Sequence, residues 1–77
     1  MERGRIKQLL EGMMNRFCKK SDELSKIADM SPDDMTARLN LTLADNEAAK
    51  LFAVKEIALR MGFAVVYDAL KGEWELT

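Results

Sequence analysis

Residues 61–77 read Met-Gly-Phe-Ala-Val-Val-Tyr-Asp-Ala-Leu-Lys-Gly-Glu-Trp-Glu-Leu-Thr, and their conformation decides between an all-α chain and a mixed one. Phe63, Val66, Tyr67 and Leu70 follow a helical spacing. Phe63, Val65 and Tyr67 also alternate as in a strand, with Trp74 and Leu76 as hairpin partners across Lys71-Gly72. An isolated two-stranded hairpin is marginally stable, and no other segment offers a strand to join it. The balance favours a helix over 63–71, ended by Gly72, with Trp74 and Leu76 folded back onto the rest of the chain.

Upstream, the helical signals are stronger. Ile6, Leu9, Leu10, Met13, Met14 and Phe17 recur at three- and four-residue intervals and form one apolar stripe. The pattern weakens at Lys19-Lys20-Ser21-Asp22 and resumes at Leu24, Ile27 and Ala28, so either one helix runs from about residue 3 to 29 or it breaks near Ser21, a residue suited to capping, and the balance favours a break or kink. Ser31-Pro32-Asp33-Asp34 is a helix start: Ser31 as N-cap, Pro32 in the first turn, two carboxylates at the positive end of the dipole. That helix is expected to end near Asn40. Thr42 and Asp45 form a weaker cap box for a further helix ending at Gly62. The expectation is therefore an all-α fold, a compact bundle of four or five short helices in a single domain over 1–77.

Composition limits the function. The chain has 77 residues, 12 Lys and Arg, 13 Asp and Glu, no His and one Cys. One Cys makes no internal disulfide, and without His the usual zinc sets and His-based catalysis are missing. The expectation is no enzyme, no metal and no cofactor. Asp33/Asp34 and Asp45/Glu47 lack the alternating oxygen ligands and glycine of a calcium loop, and helix capping explains them more simply. Cys18, beside Lys19 and Lys20, reads as a half-buried small side chain rather than a reactive thiol. The six Met residues read chiefly as core filler. No signal peptide or membrane span is evident, which fits a cytoplasmic protein.

Charge is uneven: residues 1–20 carry a net +4 and residues 21–77 a net −5. A basic first helix against an acidic body could be complementary between two copies. The first-helix stripe exceeds what so short a chain can cover, so Ile6, Leu9, Leu10, Met13, Met14 and Phe17 are the expected protein interface, in a homodimer or with another protein. Membrane partners are not expected.

Residues 24–39, Leu-Ser-Lys-Ile-Ala-Asp-Met-Ser-Pro-Asp-Asp-Met-Thr-Ala-Arg-Leu, resemble a bacterial helix-turn-helix of the kind found in response-regulator output domains. The resemblance implies that Met30, Met35 and Leu39 are buried and that Asp33, Asp34, Ala37 and Arg38 face the partner or nucleic acid. Two carboxylates at that helix start repel a duplex, which disfavours DNA readout. The favoured function is a small non-catalytic, cytoplasmic regulatory or protein-interaction module acting through a helical face or an acidic surface. The alternative is a dimeric helix-turn-helix transcription regulator. Isolated regulators of this size are common in phages and mobile elements, an association rather than a deduction.

Overall fold

The computed structural model describes residues 2–77 and contains two long helices followed by a β-hairpin: α1 (Arg3–Met30), α2 (Asp34–Arg60), β1 (Val65–Asp68) and β2 (Glu73–Leu76). A bundle of four or five short helices is not formed. The two helices run antiparallel and give the molecule its long dimension of 48 Å, close to the roughly 40 Å expected of helices this long.

Each expected break is bridged by a side chain that satisfies a carbonyl without stopping the helix. Ser21 does not cap; its hydroxyl donates across to the Ala44 carbonyl of α2 at 3.1 Å, and α1 continues to Met30. Asn40 and Thr42 do not end α2 or restart it. The Asn40 amide donates to the Thr36 carbonyl and the Thr42 hydroxyl to the Arg38 carbonyl, each four residues back. The helix start at residues 31–34 is shifted by two positions. Asp33 is the N-cap, accepting from the Thr36 N–H at 2.7 Å and the Thr36 hydroxyl at 2.9 Å. Ser31 instead closes α1, its hydroxyl donating to the Ile27 carbonyl at 2.8 Å.

Gly62 ends the second helical region as expected, with φ +90°. Beyond it the helix expected over 63–71 is absent. Val65, Val66 and Tyr67 are strand formers, and Asp68 folds the turn by accepting from the N–H groups of Leu70 and Lys71. Gly72, at φ +67°, donates to the Asp68 carbonyl. The strands pair antiparallel, Val65 with Leu76 and Tyr67 with Trp74. The hairpin is stable because it is not isolated. Phe63 and Leu76 enter one core with Leu10, Met14, Leu51, Val54 and Ala58.

That core lies at the end of the helical hairpin remote from the Ser31–Asp33 connection. Towards the connection, the buried helix contacts shrink to Ala44 and Ala28. Arg3 closes the core end: its guanidinium donates to the Met61 and Gly62 carbonyls and lies 4.0 Å from the Phe63 ring centroid, capping the C-terminus of α2.

Candidate interaction surface

The β-hairpin occupies one side of the helix pair. On α1, Glu11 and Asn15 hold β2: the N–H of Leu76 donates to Glu11 Oε2 at 2.9 Å, the N–H of Trp74 to Asn15 Oδ1 at 2.6 Å, and Asn15 Nδ2 to the Trp74 carbonyl at 3.1 Å. On α2, Lys55 lies over the Trp74 ring, 5.3 Å from its centroid. The Trp74 indole Nε1 is buried and has no hydrogen-bond partner among the described residues.

The opposite side is open and apolar. On α1, the flank away from Glu11 and Asn15 carries Leu9, Met13, Phe17, Lys20, Leu24 and Ile27, at intervals of three or four. On α2, the flank away from Lys55 carries Leu39, Leu43, Lys50, Ile57 and Met61. The Lys50 ammonium, 5.8 Å from the Phe17 ring centroid, places these two flanks on the same side of the molecule. Leu9 is 56% exposed, Ile27 51%, Leu39 59% and Ile57 50%. Single exposed apolar residues need no explanation, but a continuous face of them does.

The first-helix stripe is thus divided. Leu10 and Met14 are core; Ile6, Met13 and Phe17 pack partly against it; Leu9 faces solvent. The α2 half of the face is not visible when α2 is cut into two short helices, because Leu39 then belongs to one helix and Ile57 and Met61 to another. Leu39 and Leu43, and again Ile57 and Met61, stand four apart and fall on one stripe of a single long helix, which is the signal that would have found it.

Residues 24–39 form the last turns of α1, the Ser31–Asp33 connection and the first turns of α2. Met30 and Met35 are each 83% exposed, so neither is buried between the helices. Asp33, Asp34 and Arg38 are exposed at this tip and Ala37 is half-buried. The Asp33 carboxyl is held below its ordinary value by the Thr36 N–H, then by the Thr36 hydroxyl. Lys71 is pushed up by its hydrogen bond and charge pairing with Glu75, 3.2 Å away. Asp45 and Glu47 lie inside α2 and cap nothing; Glu47 pairs with Lys50 at 3.2 Å. A cleft between α1 and the hairpin turn is lined by Cys18, Lys19, Asp22 and Lys71, among others. Its mixed charges select neither anion nor cation. No group of three or more metal-binding side chains occurs among the described residues, and no helix is long and apolar enough to cross a membrane.

No family model, curated protein or solved structure matches this chain.

Proposed function

We propose that this chain is a small non-catalytic protein-interaction module whose working surface is the open apolar face of the helix pair, and that its primary partner is a second copy. One observation carries the reading: on the side the β-hairpin leaves bare, large exposed apolar side chains cluster towards both ends of the helix pair, Leu9, Ile57 and Met61 at one end and Ile27, Leu39 and Leu43 at the other, with Phe17 and Lys50 between them. The arrangement is half of a four-helix bundle. A two-fold axis parallel to the helices lays each α1 antiparallel on the partner's α2, repeating the pairing within one chain. Lys20 then comes within about a turn of the partner subunit's Glu47, because the Ser21–Ala44 hydrogen bond marks that level of the helix pair.

The energetics permit it. Completing the burial of a half-exposed large side chain contributes about 1 kcal/mol. Leu9, Ile27, Leu39, Leu43, Ile57 and Met61 from two copies then give on the order of 10 kcal/mol, comparable with the ~4–15 kcal/mol cost of association. A lone half-buried Cys18 supports work in a reducing compartment such as the cytoplasm.

Sedimentation equilibrium tests the proposal. The expected species has twice the 8.7 kDa chain mass. The double variant Leu9→Glu, Ile57→Glu should sediment as a folded monomer, because each carboxylate would be unpaired in the seam. Leu70→Glu, at a fully exposed site in the hairpin turn, should leave the dimer intact. A wild-type chain that stays monomeric at high micromolar concentration overturns the proposal. So does DNA retardation at low salt that fades steeply as salt rises, which assigns the tip of the helix pair to nucleic acid instead.

A further inference from the structure

The two edges of the β-hairpin are treated differently. Ala64 and Thr77 exchange both backbone hydrogen bonds at 3.0 Å, so the antiparallel alternation turns the N–H and C=O of Val66 and Asp68 towards β2 and those of Val65 and Tyr67 away from it. On β2 the outward groups belong to Trp74 and Leu76, and α1 seals three of the four: Asn15 takes the N–H and C=O of Trp74, and Glu11 the N–H of Leu76. On β1 the outward N–H and C=O of Val65 and Tyr67 have no hydrogen-bond partner among the described residues. Free edges are normally blunted by lysine, proline or a bulge. Here the free edge reads Val-Val-Tyr, and Val66 and Tyr67 are about half exposed.

The open edge has defined ends. Before it, the Phe63 N–H is already given to the Ala58 carbonyl. After it, Asp68 turns the chain. The outer face of the hairpin carries Val66, Asp68, Glu73 and Glu75, against which the one cation is Lys71, paired with Glu75 and more weakly attracted by Asp68 and Glu73, so the carboxylates outnumber it three to one. The face is therefore acidic around one apolar side chain.

We infer that the β1 edge is a docking site for an extended segment of another protein, added antiparallel to β1, with a basic residue opposite Asp68 followed by three apolar or β-branched residues opposite Tyr67, Val66 and Val65. The added strand exchanges two pairs of backbone hydrogen bonds, with Tyr67 and with Val65. Its basic residue falls on the same face as Asp68 and Glu73, and its β-branched residue opposite Tyr67 makes a favourable cross-strand pair. A second copy fits poorly: a dyad at Val66 sets Ala64 opposite Asp68 and joins two acidic faces in one sheet. The inference deepens the interaction reading but uses the side of the molecule opposite the proposed dimer face, so the two are read out separately.

The probe is a synthetic peptide with Arg-Val-Ile-Tyr between Gly-Ser spacers, added to the intact chain. At saturation the amides of Val65 and Tyr67 should exchange with solvent at least about tenfold more slowly, the protection a ladder bond confers. Those of Val66 and Asp68, already bonded to β2, should not change. N-methylation of the peptide at its Val and Tyr should abolish binding. A Glu-for-Arg peptide should bind several-fold more weakly, and Asp68→Asn, which keeps the turn acceptor but loses the charge, should erase that preference. Unchanged exchange at Val65 and Tyr67 in about millimolar peptide, or equal binding of the N-methylated peptide, overturns the proposal. Sedimentation of the same samples reports dimerisation independently, so failure of either proposal is recognised without the other.

Discussion

Replacing Asn15 with Ala should detach the β-hairpin from α1 while leaving the helix pair closed. Asn15 holds both outward backbone groups of Trp74, at 2.6 Å and 3.1 Å. Each such bond contributes about 0.5–1.5 kcal/mol net, and the part-buried setting makes an unmet partner costly, so the loss is about 2 kcal/mol. Ala is the better helix former by up to ~0.6 kcal/mol, which leaves about 1.5 kcal/mol of destabilisation. A chain of this size is stable by only about 4–12 kcal/mol, and the midpoint of thermal unfolding should fall by roughly 6–12 °C. Trp74 is the only tryptophan, so its emission reports hairpin docking directly and far-ultraviolet dichroism reports the helices. At fixed protein concentration, because dimer stability depends on it, Asn15→Ala should red-shift the emission before helicity is lost. Asn46→Ala, at an exposed site on α2, carries the same propensity gain without the loss and should be neutral or slightly stabilising. A midpoint change under about 0.5 kcal/mol with unchanged emission would refute the assignment of Asn15 as the clasp.

The helix start gives two further tests. Asp33→Ala should lower the unfolding midpoint more than Ser31→Ala, because Asp33 caps α2 whereas Ser31 only bonds back within α1; equal effects in a urea titration would place the cap at Ser31 after all. The folded-state pKa of Asp33 is lowered, so its stabilisation is complete above the unfolded carboxyl value and is lost as pH falls through the folded one. NMR titration of its side chain should show a midpoint below the ordinary aspartate value, and Asp33→Asn should remove its share of the acid sensitivity. Gly62→Ala and Gly72→Ala should each destabilise by about 1 kcal/mol, since both positions have positive φ, with little steric contribution because each added Cβ meets nothing closer than 3.9 Å; a thermal melt with no change at Gly72 would mean the turn relaxes to another type.

What the sequence made legible was helix character and its termination at Gly62. The apolar stripe of α1, a helix start within residues 31–34 (though with the cap at Asp33 rather than Ser31) and the helix end at Gly62 all rest on local spacing and local chemistry. The number of helices did not follow, because Ser21, Asn40 and Thr42 can either cap a helix or bond back to an existing carbonyl. Here the choice is made by the neighbouring helix: Ser21 meets Ala44 only when α1 and α2 are long and aligned. The hairpin was one of two readings of residues 63–77, and the physical argument against it was that no strand partner existed. Its second edge is instead held by Glu11 and Asn15, side chains of a helix some sixty residues earlier, a contact no local pattern announces. Of the expected interface residues, Leu9 reaches the open face fully, while Leu10 and Met14 are consumed by the core. Met30 and Met35 are surface residues rather than filler, which their neighbours at the sparsely packed tip decide.

The placement of the core also bears on how the chain reaches this state. In a helical hairpin packed evenly along its length, structure can zip from the connection outward, each added turn rewarded at once by a short-range contact. Here the first contacts available to such a zipper are Ala28 and Ala44, which bury little. The strongly stabilising contacts, Met14 with Leu51 and Val54, close a loop of more than thirty residues, and those of Glu11 and Asn15 with β2 close still longer ones. The entropy of those closures is spent before any large side chain is buried. Folding should therefore nucleate at the far end of the helices and be slower than helix content alone implies. The same asymmetry makes the tip the first segment to open from the native state, so residues 24–43 form the least cooperative unit of the molecule.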